Sequence, residues 1–269
     1  MKTFVTYFHK RKEEKKMIVV KHVVVAEIPL LEMVESDIDH QKLPTVLFYH
    51  GWGSCKESAM VNGYELAKQG FRAVLPEAYL HGERKEGTLN EEAYMEFWQV
   101  VAHSIEEFPT LTDYYISKGL TDPNRIGVTG LSMGGITTCA LLTQYPSIKT
   151  AVCLMGSPAP VLFSRWLLNS SWAEGLNIDE ANYQAELEQL KPIDLSLQPE
   201  KIAGRYLHFW HGTADNTVPY QPTLDFYERV INEQPEAAKH VSFTSTKGAG
   251  HKVPYESSVE MATFFAKRL

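Results

Sequence analysis

Three features of the sequence predict an α/β fold with a mostly parallel central sheet, helices on both of its faces and a small helical cap insertion. Short apolar runs rich in β-branched residues alternate with longer stretches of helical periodicity, the pattern of strands joined by crossover helices. One such run passes without a linker into Gly130-Leu131-Ser132-Met133-Gly134-Gly135 and on into a helix. The connection 156–204 between two strands far exceeds the length one crossover helix needs. With 269 residues, 44% apolar and 22% charged, the chain can bury one large core, so 1–269 is expected to be a single domain.

Residues 3–8 and 17–28 are rich in β-branched and aromatic types and read as an antiparallel pair; the charges between them, Lys10 to Lys16 with Glu13 and Glu14 interleaved, read as its solvated turn. Residues 43–49 form the first core strand and run into His50-Gly51-Trp52-Gly53-Ser54. A helix over 56–69 closes at Gly70, where glycine commonly ends a helix; 71–75 is the next strand and 76–87 a long loop. Residues 90–108 carry acidic and aromatic side chains at helical spacing. Residues 125–129 are the strand before Ser132 and 136–145 the helix after it, stopped by Pro146. Strands over 150–155, 206–210 and 240–244 and a final helix over 255–268 complete the series. Between them, residues 157–204 hold Phe163, Trp166, Trp172 and Tyr183 and two or three short helices, the clearest at 179–190. This segment reads as a cap over the site, or as a surface elaboration that packs its aromatics on the core.

Composition narrows the partners. A formal net charge of −7 disfavours nucleic acid and anionic membranes as main partners and leaves a neutral or cationic small molecule. Without an apolar run long enough for a signal peptide or a membrane span, the protein is expected to be soluble and cytoplasmic. Cys55, Cys139 and Cys153 are odd in number and lack metal-type spacing, and His9, His22, His40, His103, His208 and His240 are scattered, so no disulfide, metal or other cofactor is expected. A homodimer is left open.

The chemistry is carried by Gly-x-Ser-x-Gly set between strand and helix. A serine there sits on a turn so tight that its backbone is strained, and Cβ atoms at Gly130 or Gly134 would collide with the neighbouring strand or helix. The hydroxyl stands at a helix N-terminus, where negative charge is favoured. A serine needs a base, and the base an orienting acid. Asp215 in His211-Gly212-Thr213-Ala214-Asp215 and His251 in Gly248-Ala249-Gly250-His251 each follow a predicted strand, on the side where the serine opens. The order Ser132, Asp215, His251, with one strand between successive members, is that of α/β-hydrolases.

From about residue 43 onward the chain resembles the α/β-hydrolase superfamily, and within it the small bacterial serine esterases of the dienelactone-hydrolase and prolyl-oligopeptidase-like branch. The resemblance rests on His50-Gly51-Trp52-Gly53, Gly130-Leu131-Ser132-Met133-Gly134-Gly135, His211-Gly212-Thr213-Ala214-Asp215 and Gly250-His251, in that order. It implies Ser132 as nucleophile, His251 as general base and then acid, and Asp215 as the group that fixes the imidazole tautomer. It also implies an oxyanion hole made by the backbone N–H groups of Trp52 and Met133, with His50 and Ser54 bracing the Trp52 loop. In the loop 77–84, either Tyr79 or His81 contacts substrate or Arg84 ties the loop to a carboxylate; Trp166 is a further pocket candidate.

The implied function is hydrolysis of carboxylic esters with a short to medium acyl group through an acyl-enzyme. A peptidase or amidase of prolyl-oligopeptidase type is the alternative within acyl chemistry, and would need a carboxylate cluster for a free amine, with Glu174, Asp179 and Glu180 as candidates. A ligand cup without catalysis is the alternative outside it.

Overall fold

Eight strands, β1 (Ile18–Val25), β2 (Ile28–Glu35), β3 (Leu43–Tyr49), β4 (Arg72–Pro76), β5 (Thr121–Leu131), β6 (Ile148–Leu154), β7 (Tyr206–Gly212) and β8 (Val241–Thr246), form one sheet in the order β1-β2-β4-β3-β5-β6-β7-β8. The structure is a computed structural model that describes residues 17–85, 93–175 and 179–269. From β4 to β8 the strands are parallel, and β1 and β2 extend the sheet antiparallel at one edge. This is the expected fold class. The chain moves from β3 to β4 on one side and then returns to place β5 on the other, so the connections diverge between β3 and β5. At such a switch point the loops leave the carboxyl ends of adjacent strands in opposite directions and open a crevice.

Consecutive residues of the central strands are buried on opposite faces. Val46 and Phe48 pack with Leu66 of α1 (Met60–Lys68) and with Met261 and Phe265 of α8 (Tyr255–Arg268). Leu47 and Tyr49 face the other way, toward Val101 of α2 (Ala93–Ser117) and Ile136 of α3 (Met133–Gln144). Burial on both faces explains why these strands read as continuous apolar runs rather than as alternating ones. The α2 and α3 side also carries α4 (Pro160–Leu168), α5 (Glu180–Leu190), α6 (Tyr220–Glu233) and the short α7 (Pro235–Ala238), whose Phe163, Leu187, Phe226 and Ala237 join the same core. Between β6 and β7, α4 and α5 are accompanied by short 3₁₀ turns, the first of them over Ser171–Ala173.

Several elements differ from the sequence-based expectation. β1 pairs with β2, through a two-residue turn in which Val25 faces Ile28, and the strand expected over 3–8 lies outside the described residues. Ala26 and Glu27 both have positive φ, 46° and 67°, as the tight hairpin turn demands, yet neither is the Asn or Gly that usually marks it. The single strand expected over 17–28 is therefore a strand and a turn. β5 begins earlier than expected, because the register irregularity between Leu43 and Thr45 absorbs Asp122-Pro123-Asn124. α6 was not expected at all.

α2 is the most informative departure. A proline normally ends a helix, yet α2 continues through Pro109 to Ser117. Pro109 has no N–H to give, so the carbonyl four residues earlier, that of Ile105, loses its helical donor. The Tyr145 hydroxyl, reaching over from the end of α3, donates to that carbonyl at 2.9 Å. Tyr145→Phe should therefore cost about 1 to 2 kcal/mol, a fall in Tm of about 2 to 4 °C per kcal/mol for a chain of this size, measurable by calorimetry. An unchanged Tm would mean that the freed carbonyl needs no replacement donor.

Candidate active site

Ser132 stands between β5 and α3 with φ 57° and ψ −119°, a left-handed backbone conformation that a residue with a Cβ rarely adopts. Such strain, on the order of 1 to 3 kcal/mol, persists only where the surroundings hold it. Here the Ser132 amide donates to the Leu154 carbonyl of β6 at 2.9 Å, and the Ser132 carbonyl accepts the first bond of α3 from Ile136 at 3.0 Å. The two glycines behave as the sequence requires: a Cβ on Gly134 would overlap the Tyr49 carbonyl of β3, and one on Gly130 would meet the Gly134 backbone. The helix can therefore start directly against the sheet, with the hydroxyl above its carboxyl end.

The structure brings Ser132, His251 and Asp215 together. His251 Nε2 lies 2.8 Å from Ser132 Oγ, and its Nδ1 lies 2.7 Å from Asp215 Oδ2. A carboxylate only accepts, so Nδ1 carries the hydrogen and Nε2 is left to accept the serine proton. The Asp215 carboxylate is fully buried, and its other oxygen takes the amides of Thr217 at 2.9 Å and Val218 at 3.0 Å. Burial by itself would raise its pKa, but hydrogen bonds from His211, His251 and these two amides outweigh it and hold the group well below the usual carboxylate range. His211 is the residue sequence reasoning passed over: its buried ring sets Nε2 3.2 Å from Asp215 Oδ2 and 3.0 Å from the Val218 carbonyl. Its place four residues before Asp215 in the quoted motif was the available signal.

The loop after β3 carries Gly51, Trp52 and Gly53. Among the described residues no acceptor engages the Trp52 amide, and the Met133 amide, at the first residue of α3, has no intrahelical acceptor. Beneath this loop, His50 places Nδ1 2.9 Å from the Gly51 carbonyl and Nε2 3.1 Å from the Ala78 amide, in the bracing role expected of it. The Ser54 amide donates to the Gly51 carbonyl at 3.2 Å, closing the loop, while its hydroxyl donates to Ser58 at 2.5 Å on the exposed side. A buried Glu77 lies below: it accepts the Lys56 amide at 3.0 Å and the buried Lys56 ammonium at 2.8 Å. Hydrogen bonds from the Lys56 ammonium and amide, with the His50 ring 3.2 Å away, overcome the upward push of burial and lower the Glu77 pKa to about 2.

A cavity of about 130 Å³ opens above Ser132. Trp52, Phe97, Met133, Phe163, Trp172, Thr217, Val218 and His251 line it with the serine. Three residues expected at the pocket are elsewhere. Tyr79 stacks on His103, with ring centroids 4.0 Å apart, and lies under the Arg84 guanidinium. His81 meets the edge of Trp52 and accepts the Gly53 amide on Nε2 at 3.0 Å, so it supports the loop and does not line the cavity. Burial pushes its pKa down. Trp166 stacks on the outer side of Phe163, nearly parallel at 5.6 Å, and it is Phe163 that faces the cavity. The tie from Arg84 to a carboxylate exists, as a two-pronged pair with Glu107 at 2.5 and 3.0 Å. Phe97 was not foreseen, because an aromatic in an amphipathic helix looks like any other core residue. Among the described residues no group of His, Cys, Asp and Glu has the arrangement of a metal site.

The model of the prolyl oligopeptidase family matches residues 57–267. The chain is 41% identical over 251 residues to "Putative esterase YitV" of Bacillus subtilis (strain 168), covering 93% of this chain and 98% of that one. It is 27% identical to "Esterase YjfP" of Escherichia coli (strain K12), covering 94% and 100%. Among solved structures, TT1662 from Thermus thermophilus superposes with a TM-score of 0.74 at 20% identity, covering 94% of this chain and all of that one, a likeness of fold.

The charge under the Trp52 loop makes a pH-dependent prediction. Glu77 titrates at about 2 in the fold against 4.5 for an ordinary glutamate. Its stabilisation is therefore complete above pH 4.5 and is lost as pH falls toward 2. Glu77→Gln should be less stable at neutral pH by about 2 to 3 kcal/mol, and thermal melts should show that deficit shrinking across the same interval. A deficit that does not change with pH would mean that Glu77 is held for its shape and not its charge.

Proposed function

Because the chain belongs to the prolyl oligopeptidase family, we propose that Ser132, His251 and Asp215 are its catalytic triad and that it hydrolyses carboxylic esters with short acyl groups. The observation that carries this reading is one unbroken chain of hydrogen bonds, Asp215 to His251 to Ser132, opening on a small apolar cavity. Two relatives named as esterases, similar over nearly their full length, support ester chemistry in particular.

In the first half-reaction His251 Nε2 takes the Ser132 proton while Oγ bonds the ester carbonyl carbon. The negative charge that forms on the carbonyl oxygen is met by the Trp52 and Met133 amides, each such donor typically contributing about 3 kcal/mol. The C–O bond to the alcohol then breaks, and the leaving oxygen takes the proton from His251. Water enters, gives a proton to the same nitrogen and attacks the acyl-enzyme, releasing the acid and restoring Ser132. Asp215 keeps Nδ1–H of His251 pointed at itself and stabilises the imidazolium that exists between the two transfers.

The residues 157–204 act as a cap in this account, because Phe163 and Trp172 line the cavity. The small size of the cavity, about 130 Å³, favours a short acyl group over a long chain. An amine-binding site for peptides receives no comparable support. Asp179 caps α5 by accepting the Asn182 amide, Glu180 bonds Gln184, and neither they nor Glu174 line the cavity.

Action on small molecules in the cytoplasm belongs to the same proposal. The three cysteines are unpaired, and no described helix is long and apolar enough to cross a membrane.

A panel of aryl esters graded by acyl length tests the reading. Acetate should exceed octanoate in kcat/KM by about ten-fold or more, since forcing extra methylenes into a packed site costs about 1 to 3 kcal/mol. Ser132→Ala should abolish turnover, and Phe163→Ala should shift the optimum toward longer chains. Faster cleavage of an aminoacyl arylamide than of the matching ester would favour the peptidase, and tight ligand binding with no turnover would favour a binder.

A further inference from the structure

Two loops meet beside the Ser132 cavity: the one after β3, with Gly51, Trp52 and Gly53, and the one after β4, with residues 77–84. Each is held by a histidine of the other. His50, at the root of the first, accepts the Ala78 amide of the second on Nε2, with Nδ1 on the Gly51 carbonyl of its own loop. His81, in the second, accepts the Gly53 amide of the first on Nε2, and its Nδ1 lies 2.8 Å from the Tyr79 carbonyl of its own loop. The two rings lie 5.3 Å apart. The arrangement is reciprocal, and it fixes the backbone on the far side of Trp52 from the cavity floor.

The His81 half works in one protonation state only. The Tyr79 carbonyl accepts, so Nδ1 carries hydrogen; the Gly53 amide donates, so Nε2 must be bare. A second proton sets N–H against N–H and removes the tie. The charged and titratable groups around the ring do not replace it. The Glu77 carboxylate is engaged by Lys56 and by the Glu83 amide, with Oε1 3.2 Å from His50 Nε2. His50 is itself a hydrogen-bonded imidazole, and Lys85 repels a further positive charge. Burial of the ring also opposes protonation, so the tie is intact at neutral pH and fails on acidification.

We propose that His81 is a positioning residue for the ester hydrolysis: through Gly53 it holds the Trp52 amide where the oxyanion forms, and a proton on its Nε2 releases that hold. This rests on the esterase reading above. Because the amide acts on charge that develops in the transition state, loss of the tie lowers kcat and leaves KM nearly unchanged.

Steady-state kinetics with a short-chain aryl ester between about pH 4 and 9, on the wild type, His81→Phe and His81→Gln, test it, with circular dichroism confirming the fold at each pH. At pH 8, His81→Phe, which keeps a ring but no acceptor, should lose about ten-fold or more in kcat with little change in KM. His81→Gln, whose side-chain oxygen can take the Gly53 N–H, should recover most of it. On the acid side, log kcat/KM in the wild type should show an extra drop of about one log unit where His81 takes its proton, and His81→Gln should fall along a slope near one without that extra drop.

An unchanged kcat in His81→Phe, a loss confined to KM, or the same acid profile in the wild type and His81→Gln would each overturn the role of His81 while ester turnover stands. Absence of ester turnover in the wild type would instead overturn the reading on which the proposal rests. Should His81→Phe fail to fold, the comparison of acid profiles between wild type and His81→Gln decides.

Discussion

A single buried carboxylate organises this site. Asp215 has no water to solvate it, and its charge survives because two backbone amides and two imidazoles surround it. Burying an ionised carboxylate without such partners would cost several kcal/mol and drive it to the neutral form. With them it stays charged, and the one partner that reaches outward is His251. The tautomer of that ring, and so the direction in which it can move a proton, follows from where the charge lies.

The rest of the fold delivers the other two parts to the same place. Because β4 and β5 flank β3, the loops after β3 and β5 leave neighbouring strand ends in different directions, and Ser132 and Trp52 face one another across the crevice. Tyr49 and Gly130 are paired in the sheet, and the start of α3 presses on the Tyr49 carbonyl, so the two loops begin from a nearly rigid base. What is left to be fixed is the outer turn of the Trp52 loop. That is held from behind by the histidines and, below them, by the Lys56 ammonium, which Glu57, Glu77 and Glu83 share.

The parts of this arrangement that could be read from sequence are those where one residue type is the only solution. Glycine beside Ser132 and an aspartate and a histidine after successive strands are of this kind, and Ser132, Asp215 and His251 do converge. Directions of side chains are not. Phe163 and Trp166 are three residues apart on α4 and chemically alike, and only the rotation of the helix decides that Phe163 meets the cavity while Trp166 stacks behind it. Tyr79 and His81 follow the right strand and open on the right rim, yet both turn into protein, toward His103 and Gly53.

The fold itself shows the same division. Apolar runs located the core strands within a few residues, but Ala26 and Glu27 form a tight turn without the residues that advertise one. Pro109 stays within a helix because Tyr145, thirty-odd positions on, supplies the donor its ring removes. Both are cases in which a distant contact overrides a local preference. The convergence of Asp215, His251 and Ser132 is most directly tested by fluorophosphonate labelling read by peptide mass spectrometry, comparing the wild type with Asp215→Asn. The adduct should form on Ser132 alone, and Asp215→Asn should slow it by about 10³-fold or more. An adduct on another residue, or a rate indifferent to Asp215, would contradict the account.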